Sequence, residues 1–214
     1  MPPPEKQDPA QERPFGPPEP LVIGLVGGVA SGKSTVSGLF EAHGILHIDA
    51  DSHARAATED PEVLAEVQAT LGERFVTDGR LDRQAVAEHV FSDPAAKQQL
   101  EAIVHPRVRS RILAELDRAR ASGRSSLLDV PLLFEAGLWK HCDTIVFVDA
   151  PDEIRQERAR GRGWDDDELP RRERNQLPLA DKRARSQHVV DNGGALDDTR
   201  RAVAALLSRL EGDA

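Results

Sequence analysis

The sequence predicts an α/β fold: a parallel five-stranded sheet with helices on both faces and a helical insertion between strands. Three observations carry that expectation. A glycine-rich loop, GGVASGKST at Gly27 to Thr35, stands between an apolar run and a helix-spaced stretch. Four more strand-like segments follow, two of which, Ser126 to Val130 and Thr144 to Val148, are continuous apolar runs rather than alternating ones, as in strands covered on both faces. Helix-spaced segments separate them, which calls for right-handed β-α-β crossovers.

The first strand is Leu21-Val22-Ile23-Gly24-Leu25-Val26. In the loop after it, Gly27, Gly32, Lys33 and Ser34 fill the fixed places of G-x-x-x-x-G-K-[ST]. That spacing lets successive backbone N–H groups curl around a phosphate at the positive end of the next helix. The helix runs from Ser34 to Ala42 with Val36, Leu39 and Phe40 on one side. Strand, loop and helix together mark a P-loop nucleoside-triphosphate-hydrolase-like fold. Gly28, Val29, Ala30, Ser31, Gly32, Lys33, Ser34 and Thr35 are the expected ATP-binding residues. Lys33 would reach the β- and γ-phosphates, and the Ser34 hydroxyl would sit on Mg²⁺.

Gly44 closes that helix, and Ile45 to Asp49 reads as a second strand running toward Asp51. From about residue 52 to 122 the pattern is helical and shows no strand, which suits a substrate-binding insertion. Val63 to Leu71 and Gln84 to Phe91 are periodic, Asp78-Gly79 is a turn, and Pro94 to Ala121 is a long helical stretch interrupted at His105-Pro106. Ser126 to Val130, Thr144 to Val148 and Gln187 to Asp191 complete the strands. Ligands in such sheets gather at the strands' carboxyl ends, where Gly32, Asp49, Asp51 and Asp129 all fall.

With 214 residues and 39% apolar content, the chain can bury one good core, so residues 21 to 214 are expected to form a single domain. The formal charge of −9 argues against general nucleic-acid binding. Cys142 is the sole cysteine, so a disulfide or thiolate cluster within the chain is excluded, and it reads as a small buried apolar residue. No run approaches the roughly 18 apolar residues of a membrane span, and no apolar secretory segment opens the chain, which points to the cytoplasm. Residues 1 to 20 hold eight of the fifteen prolines and read as a disordered leader, with a ligand for a partner domain as the alternative. His43, His47 and His53 make a poor zinc set, since Gly44 separates the first two and no cysteine is nearby. Trp139 and Trp164 read as packing residues.

Candidate chemistry starts with Asp49 and Asp51. Two apart, they face one side of the sheet if the extended geometry persists, and one could take a proton from an attacking hydroxyl. Asp51 is equally a good N-cap for the segment that follows. Asp129 ends a strand where P-loop enzymes place a carboxylate for the magnesium water shell; its alternative is a turn residue before Pro131. Arg155, Arg158, Arg160 and Arg162 cluster against one acid, Glu157. Guanidinium groups bind phosphate in a two-pronged way, though a solvated charged helix has the same pattern.

Several separated segments then coincide with one family. GGVASGKST at 27 to 35, IDADSHAR at 48 to 55, LDR at 81 to 83, VHPRV at 104 to 108, DVPLLFEAGL at 129 to 138, NQLPL and VVDNGG occur in its order. Over roughly residues 21 to 210 the chain resembles dephospho-coenzyme A kinase. The resemblance implies ATP-dependent phosphorylation of the ribose 3′-hydroxyl of dephospho-coenzyme A, the last step of coenzyme A synthesis. It implies Asp51 as general base, with Arg55, His105, Pro131, Leu132 and Leu133 lining the acceptor site. It also implies Arg158 and Arg162 on a lid, in about residues 154 to 180, and Asn192 near the adenine. The chain departs from the pattern at Arg155, Gly163 and Ser186-Gln187. The resemblance leaves the oligomeric state open.

Two rivals share the P-loop. Another small-molecule kinase differs only in its acceptor, so the insertion and the PLLFE segment discriminate. A GTP-gated switch would carry Asn-Lys-x-Asp and Asp-x-x-Gly, whereas Asp129 is followed by Val-Pro-Leu.

Overall fold

The computed structural model describes residues 19–174 and 176–212, so the expected leader lies, up to residue 18, outside the described residues. β1 (Val22–Gly27) leads into the glycine loop and α1 (Lys33–Ala42). β2 (Leu46–Asp49) turns directly into α2 (Ala50–Ala57). A helical lobe follows: α3 (Pro61–Leu71), the short strands β3 (Val76–Thr77) and β4 (Arg80–Leu81), α4 (Arg83–Ser92) and α5 (Pro94–Ala121). The chain returns through β5 (Ser126–Asp129), β6 (Thr144–Asp149), α6 (Asp152–Gly161), α7 (Glu168–Glu173), α8 (Leu179–Ala184), β7 (His188–Asp191) and α9 (Leu196–Gly212).

The main sheet is the expected one, with strand order β2-β5-β1-β6-β7 and every pairing parallel. β5 therefore lies between β1 and β2, and its last residue, Asp129, pairs with both Leu25 and Asp49. This register brings the ends of three strands to one place.

Alternation explains why the strands read as unbroken apolar runs. Val22 and Val26 join Ile48 and Leu128 in the core beneath the helical lobe, with Val63, Val67, Phe75 and Ile112. Ile23, Leu25 and Leu127 point to the other face, against Val36 and Phe40 of α1 and Val203 and Leu206 of α9. Burying each such side chain is worth roughly 1.5–3 kcal/mol, so a polar residue on either face is costly.

Two expectations in the lobe need correction. α5 is continuous through Pro106 rather than interrupted there. The apolar residues Ile103, Val104, Val108 and Ile112 anchor both halves in one core, and Arg107 donates from Nη1 to the Ile103 carbonyl across the weak point (3.1 Å). Packing outweighs the loss of one helical hydrogen bond. The Asp78-Gly79 turn is the tip of a small antiparallel hairpin pairing Thr77 with Arg80, whose two-residue strands are too short for periodicity to reveal.

Candidate functional site

The glycine loop is shaped by left-handed residues. Ala30 has φ 61° and Gly32 φ 86°, breaking the run of right-handed residues so that backbone amides turn inward. Only glycine suits position 32: a Cβ there would stand 2.2 Å from the Asn192 amide nitrogen. The N–H groups of Ala30, Gly32 and Lys33 find no acceptor among the described residues, and the buried Ser31 hydroxyl has no partner. Unpaired donors on a concave loop fit a bound phosphate chain.

The carbonyls of the same loop are held from behind. Asn192, buried, donates from Nδ2 to the Ser31 carbonyl (2.8 Å) and accepts from the Thr199 hydroxyl (3.1 Å). Arg158 donates to the carbonyls of Ser31 (2.9 Å) and Asn192 (2.7 Å). Arg155, also buried, donates to the Val29 carbonyl (3.3 Å), to Asp152 (2.7 Å) and to Glu173. Arg158 and Asn192 thus serve the back of the loop. Arg162, just past the end of α6, lines the front, its guanidinium 5.5 Å from the Trp164 ring. Of the two arginines expected to act together, Arg162 lines the cleft with the loop, while Arg158 is engaged by the Ser31 and Asn192 carbonyls.

At the end of β2 the extended geometry does not persist. Asp49, not Asp51, caps α2: it accepts from the N–H of Asp51 and of Ser52 (3.1 Å each) and from the Ser52 hydroxyl (2.6 Å). Burial alone would raise its pKa, but those hydrogen bonds and nearby His47 hold the carboxyl below the ordinary value. Asp51 enters the first turn of α2, exposed, and no donor among the described residues engages its carboxylate. The chain spends one acid on the fold and leaves the other to the cleft.

Asp129 has the opposite environment. Burial raises its pKa, with Asp49 and Asp51 adding to the rise and Lys33 and His47 offsetting part of it. His47 Nε2 is 3.7 Å away and makes no hydrogen bond. A half-buried carboxylate among other acids, lining one cleft with Lys33 and Ser34, is suited to a divalent cation. Among the described residues no cluster of three or more His, Cys, Asp or Glu forms an all-protein metal cage, and Mg²⁺ bound through phosphate oxygens does not require one.

Two clefts meet at Asp51. The first, of about 270 Å³, joins the loop from Gly28 to Ser34 with Asp49, Asp51, Asp129, Pro131 and Arg162. The second, of about 770 Å³, is apolar and lies between α2, α5 and the segment after β5; Ala54, Val104, His105, Ile112, Pro131 and Leu132 line it with Asp51. Asp51 and Pro131 belong to both. Leu133 does not reach this cleft: it is 1% exposed and packs in the core. Arg55 lies outside it, its Nη2 donating to the Ser52 hydroxyl (2.8 Å).

Sequence reasoning missed two supports. Glu135 accepts from the Leu177 N–H (2.6 Å), tying the PLLFE segment to the chain after α7. Lys182 on α8 is buried and donates to Gln176 (2.7 Å); burial pushes its pKa down and Lys33 adds to this, against Glu135 and Glu173. In the sequence it sits in a K-R-A-R run that looks like surface charge, so only packing could identify it.

The sequence profile of the dephospho-CoA kinase family matches residues 21–198. A dephospho-CoA kinase of Deinococcus radiodurans is 44% identical over 203 residues, covering 92% of this chain and 96% of its own. One of Thermus thermophilus is 41% identical over 196 residues, 91% and 94%. A crystal structure from Thermus thermophilus, 40% identical, superposes with a TM-score of 0.75 over 90% of this chain and 98% of that one. The dephospho-CoA kinase from Campylobacter jejuni shares the fold at 20% identity, with a TM-score of 0.71 over 90% and 98%.

Proposed function

This chain belongs to the dephospho-CoA kinase family, and from that premise we propose how its residues divide the labour of the reaction. The enzyme transfers the γ-phosphoryl group of ATP to the ribose 3′-hydroxyl of dephospho-coenzyme A, giving coenzyme A and ADP, the last step of coenzyme A synthesis.

One observation carries the assignment: Asp51, its carboxylate unengaged, stands where the phosphate cleft and the apolar cleft meet. The loop from Gly28 to Thr35 cradles the triphosphate, and Lys33 faces its β- and γ-oxygens. Ser34 and Asp129 are the groups that would hold Mg²⁺, which when bound neutralises charge on the phosphate oxygens. The acceptor ribose enters from the apolar side, against His105, Pro131 and Leu132, with its 3′-hydroxyl at Asp51. Asp51 accepts the hydroxyl proton as the new O–P bond forms and the bond to the ADP oxygen breaks. Arg162 offers its guanidinium at the front of the loop, where charge spreads over the transferred group. Arg158 and Asn192 act through the loop as positioning residues rather than by touching nucleotide. A cytoplasmic setting is supported by the single cysteine; no described helix is long and apolar enough to cross a membrane.

Asp51→Asn tests the central role, because it keeps size and exposure while removing the proton acceptor. Turnover with dephospho-coenzyme A and Mg-ATP should fall roughly 10²–10⁴-fold with both KM values little changed. Near-normal turnover, with coenzyme A identified by mass spectrometry, would remove Asp51 from the chemistry.

A further inference from the structure

The segment from Pro131 to Asp143 borders two cavities. Pro131, Leu132 and Leu138 line the acceptor cleft, whereas Phe134, Trp139 and Lys140 line a separate groove of about 480 Å³ that Ile145, Arg185 and Gln187 complete. Aromatic rings and cations dominate this groove. The Phe134 and Trp139 rings stand 6.4 Å apart, tilted by 46°, and Trp139 is 40% exposed. The Arg185 guanidinium lies 5.6 Å from the Phe134 ring and the Lys140 ammonium 6.0 Å from the Trp139 ring; neither has a carboxylate partner among the described residues. We propose that this groove is the docking site of the chain's own proline-rich leader, through residues Glu12 to Pro18, laid against the back of the acceptor wall.

The point where the leader joins the fold supports this. The Asp143 carboxylate accepts from the Val22 N–H (2.7 Å), and the Asp143 N–H donates to the Val22 carbonyl (2.8 Å), so the start of β1 is stitched to a residue that lines the groove. A smaller depression of about 190 Å³ extends the track: Val22 lines it, and it shares Lys140, Cys142 and Asp143 with the groove. Pro18 precedes Val22 by four residues and Glu12 by ten, a reach of roughly 12–31 Å at about 3.1 Å per residue of extended proline helix. Trp139 is only four residues from Asp143. A tether this short supplies an effective concentration on the order of a millimolar, so occupancy needs only modest affinity.

The chemistry of the two partners matches. Pro14 and Pro17 are three apart, one turn of a proline helix, and therefore share a face in that conformation. Prolines so spaced pack against aromatic grooves at low entropic cost, because the ring already restricts their backbone. Glu12 brings the carboxylate that Lys140 and Arg185 lack. Asp143 adds no net repulsion, since its carboxylate is paired with Arg120 (3.1 Å).

The test is acrylamide quenching of the full chain carrying Trp164→Phe, in which Trp139 is the sole indole. Three leaders are compared: the native one, one with Pro14→Ala, Pro17→Ala and Pro18→Ala together, and one with Pro2→Ala, Pro3→Ala and Pro4→Ala together. Docking predicts that the first triple variant raises the quenching constant of Trp139 roughly twofold or more, at every protein concentration, while the second leaves it unchanged. The converse protein, Trp139→Phe with Trp164 retained, should show no dependence on the leader. Equal constants for all three leaders overturn the proposal and leave the groove to a partner outside this chain. An equal rise with the second triple variant overturns it too, because bulk rather than the Glu12 to Pro18 segment would be shielding the ring. So does a leader dependence of the same size at Trp164. A difference that vanishes on dilution overturns docking within one chain and assigns the groove to the leader of a second copy.

Discussion

The two sides of Asp51 are built differently. On the phosphate side, side chains distant in sequence hold the loop carbonyls: Asn192 and Arg158 at Ser31, Arg155 at Val29. On the acceptor side the cleft is lined by aliphatic surface, with Leu132 38% exposed and few polar groups to fix a ligand. Phosphate binding by backbone amides depends on orientation, so the fold fixes that orientation in advance; apolar binding tolerates adjustment. The acceptor side therefore depends on burial supplied by the ligand itself.

The strongest challenge to this contrast is Gly32→Ala. A methyl group at position 32 would meet the Asn192 amide, and the left-handed backbone alone costs alanine roughly 1–2 kcal/mol. Loop and brace must separate, and kcat/KM for Mg-ATP should fall on the order of a hundredfold or more, a loss of at least about 2.7 kcal/mol. The melting midpoint should fall too, while calorimetric affinity for dephospho-coenzyme A stays near wild type. Equal damage to both ligands would show that the two sides are one mechanical unit.

A smaller effect separates stability from function at Asp129. Burial raises its pKa in the fold, so the neutral form is favoured there. Its stabilising contribution is then present below the ordinary carboxylate pKa and lost as pH rises through the folded value. Asp129→Asn should melt higher than wild type at neutral pH without nucleotide, and the difference should close as the pH is lowered past both values. With Mg-ATP the order should reverse in activity, kcat/KM falling about 10–100-fold if the carboxylate acts through the magnesium water shell. A variant no more stable at neutral pH would mean that the Asp129 charge is already fully compensated by Lys33 and His47.

The contrast between the two sides also explains what could be read in advance. The five strands were legible to within one residue at each end, the three inner ones because burial on both faces leaves an unbroken apolar run. The loop was legible because phosphate geometry fixes glycine and lysine spacing. The division between Asp49 and Asp51 was not, since both residue types cap and both catalyse; only the start of α2 at Ala50 decides which carboxylate is spent on backbone donors. Arg158, Asn192 and Lys182 were illegible as supports for the same reason. Arg158 and Asn192 find their carbonyl partners more than a hundred residues away at Ser31, and a buried lysine in a K-R-A-R run carries no local mark. Leu133 and Leu132 show the limit at a single position: adjacent leucines, one 1% and one 38% exposed, separated only by the turn after β5. Cys142, expected buried, is half-buried, and burial and then the neighbouring Asp143 push its thiol up to about 12.

The smallest effect is expected at Leu132. The side chain lines the apolar cleft but remains partly exposed, so truncation leaves no sealed cavity and the stability loss stays small. Leu132→Ala should raise KM for dephospho-coenzyme A several-fold, in keeping with roughly 25 cal/mol for each Å² of apolar surface that the ligand no longer covers, and leave kcat and the KM for ATP unchanged. A change confined to KM is the signature of surface that binds ground state and transition state alike. Should kcat fall as well, Leu132 would be orienting the ribose against Asp51, and the acceptor side would share the preorganisation found around the loop.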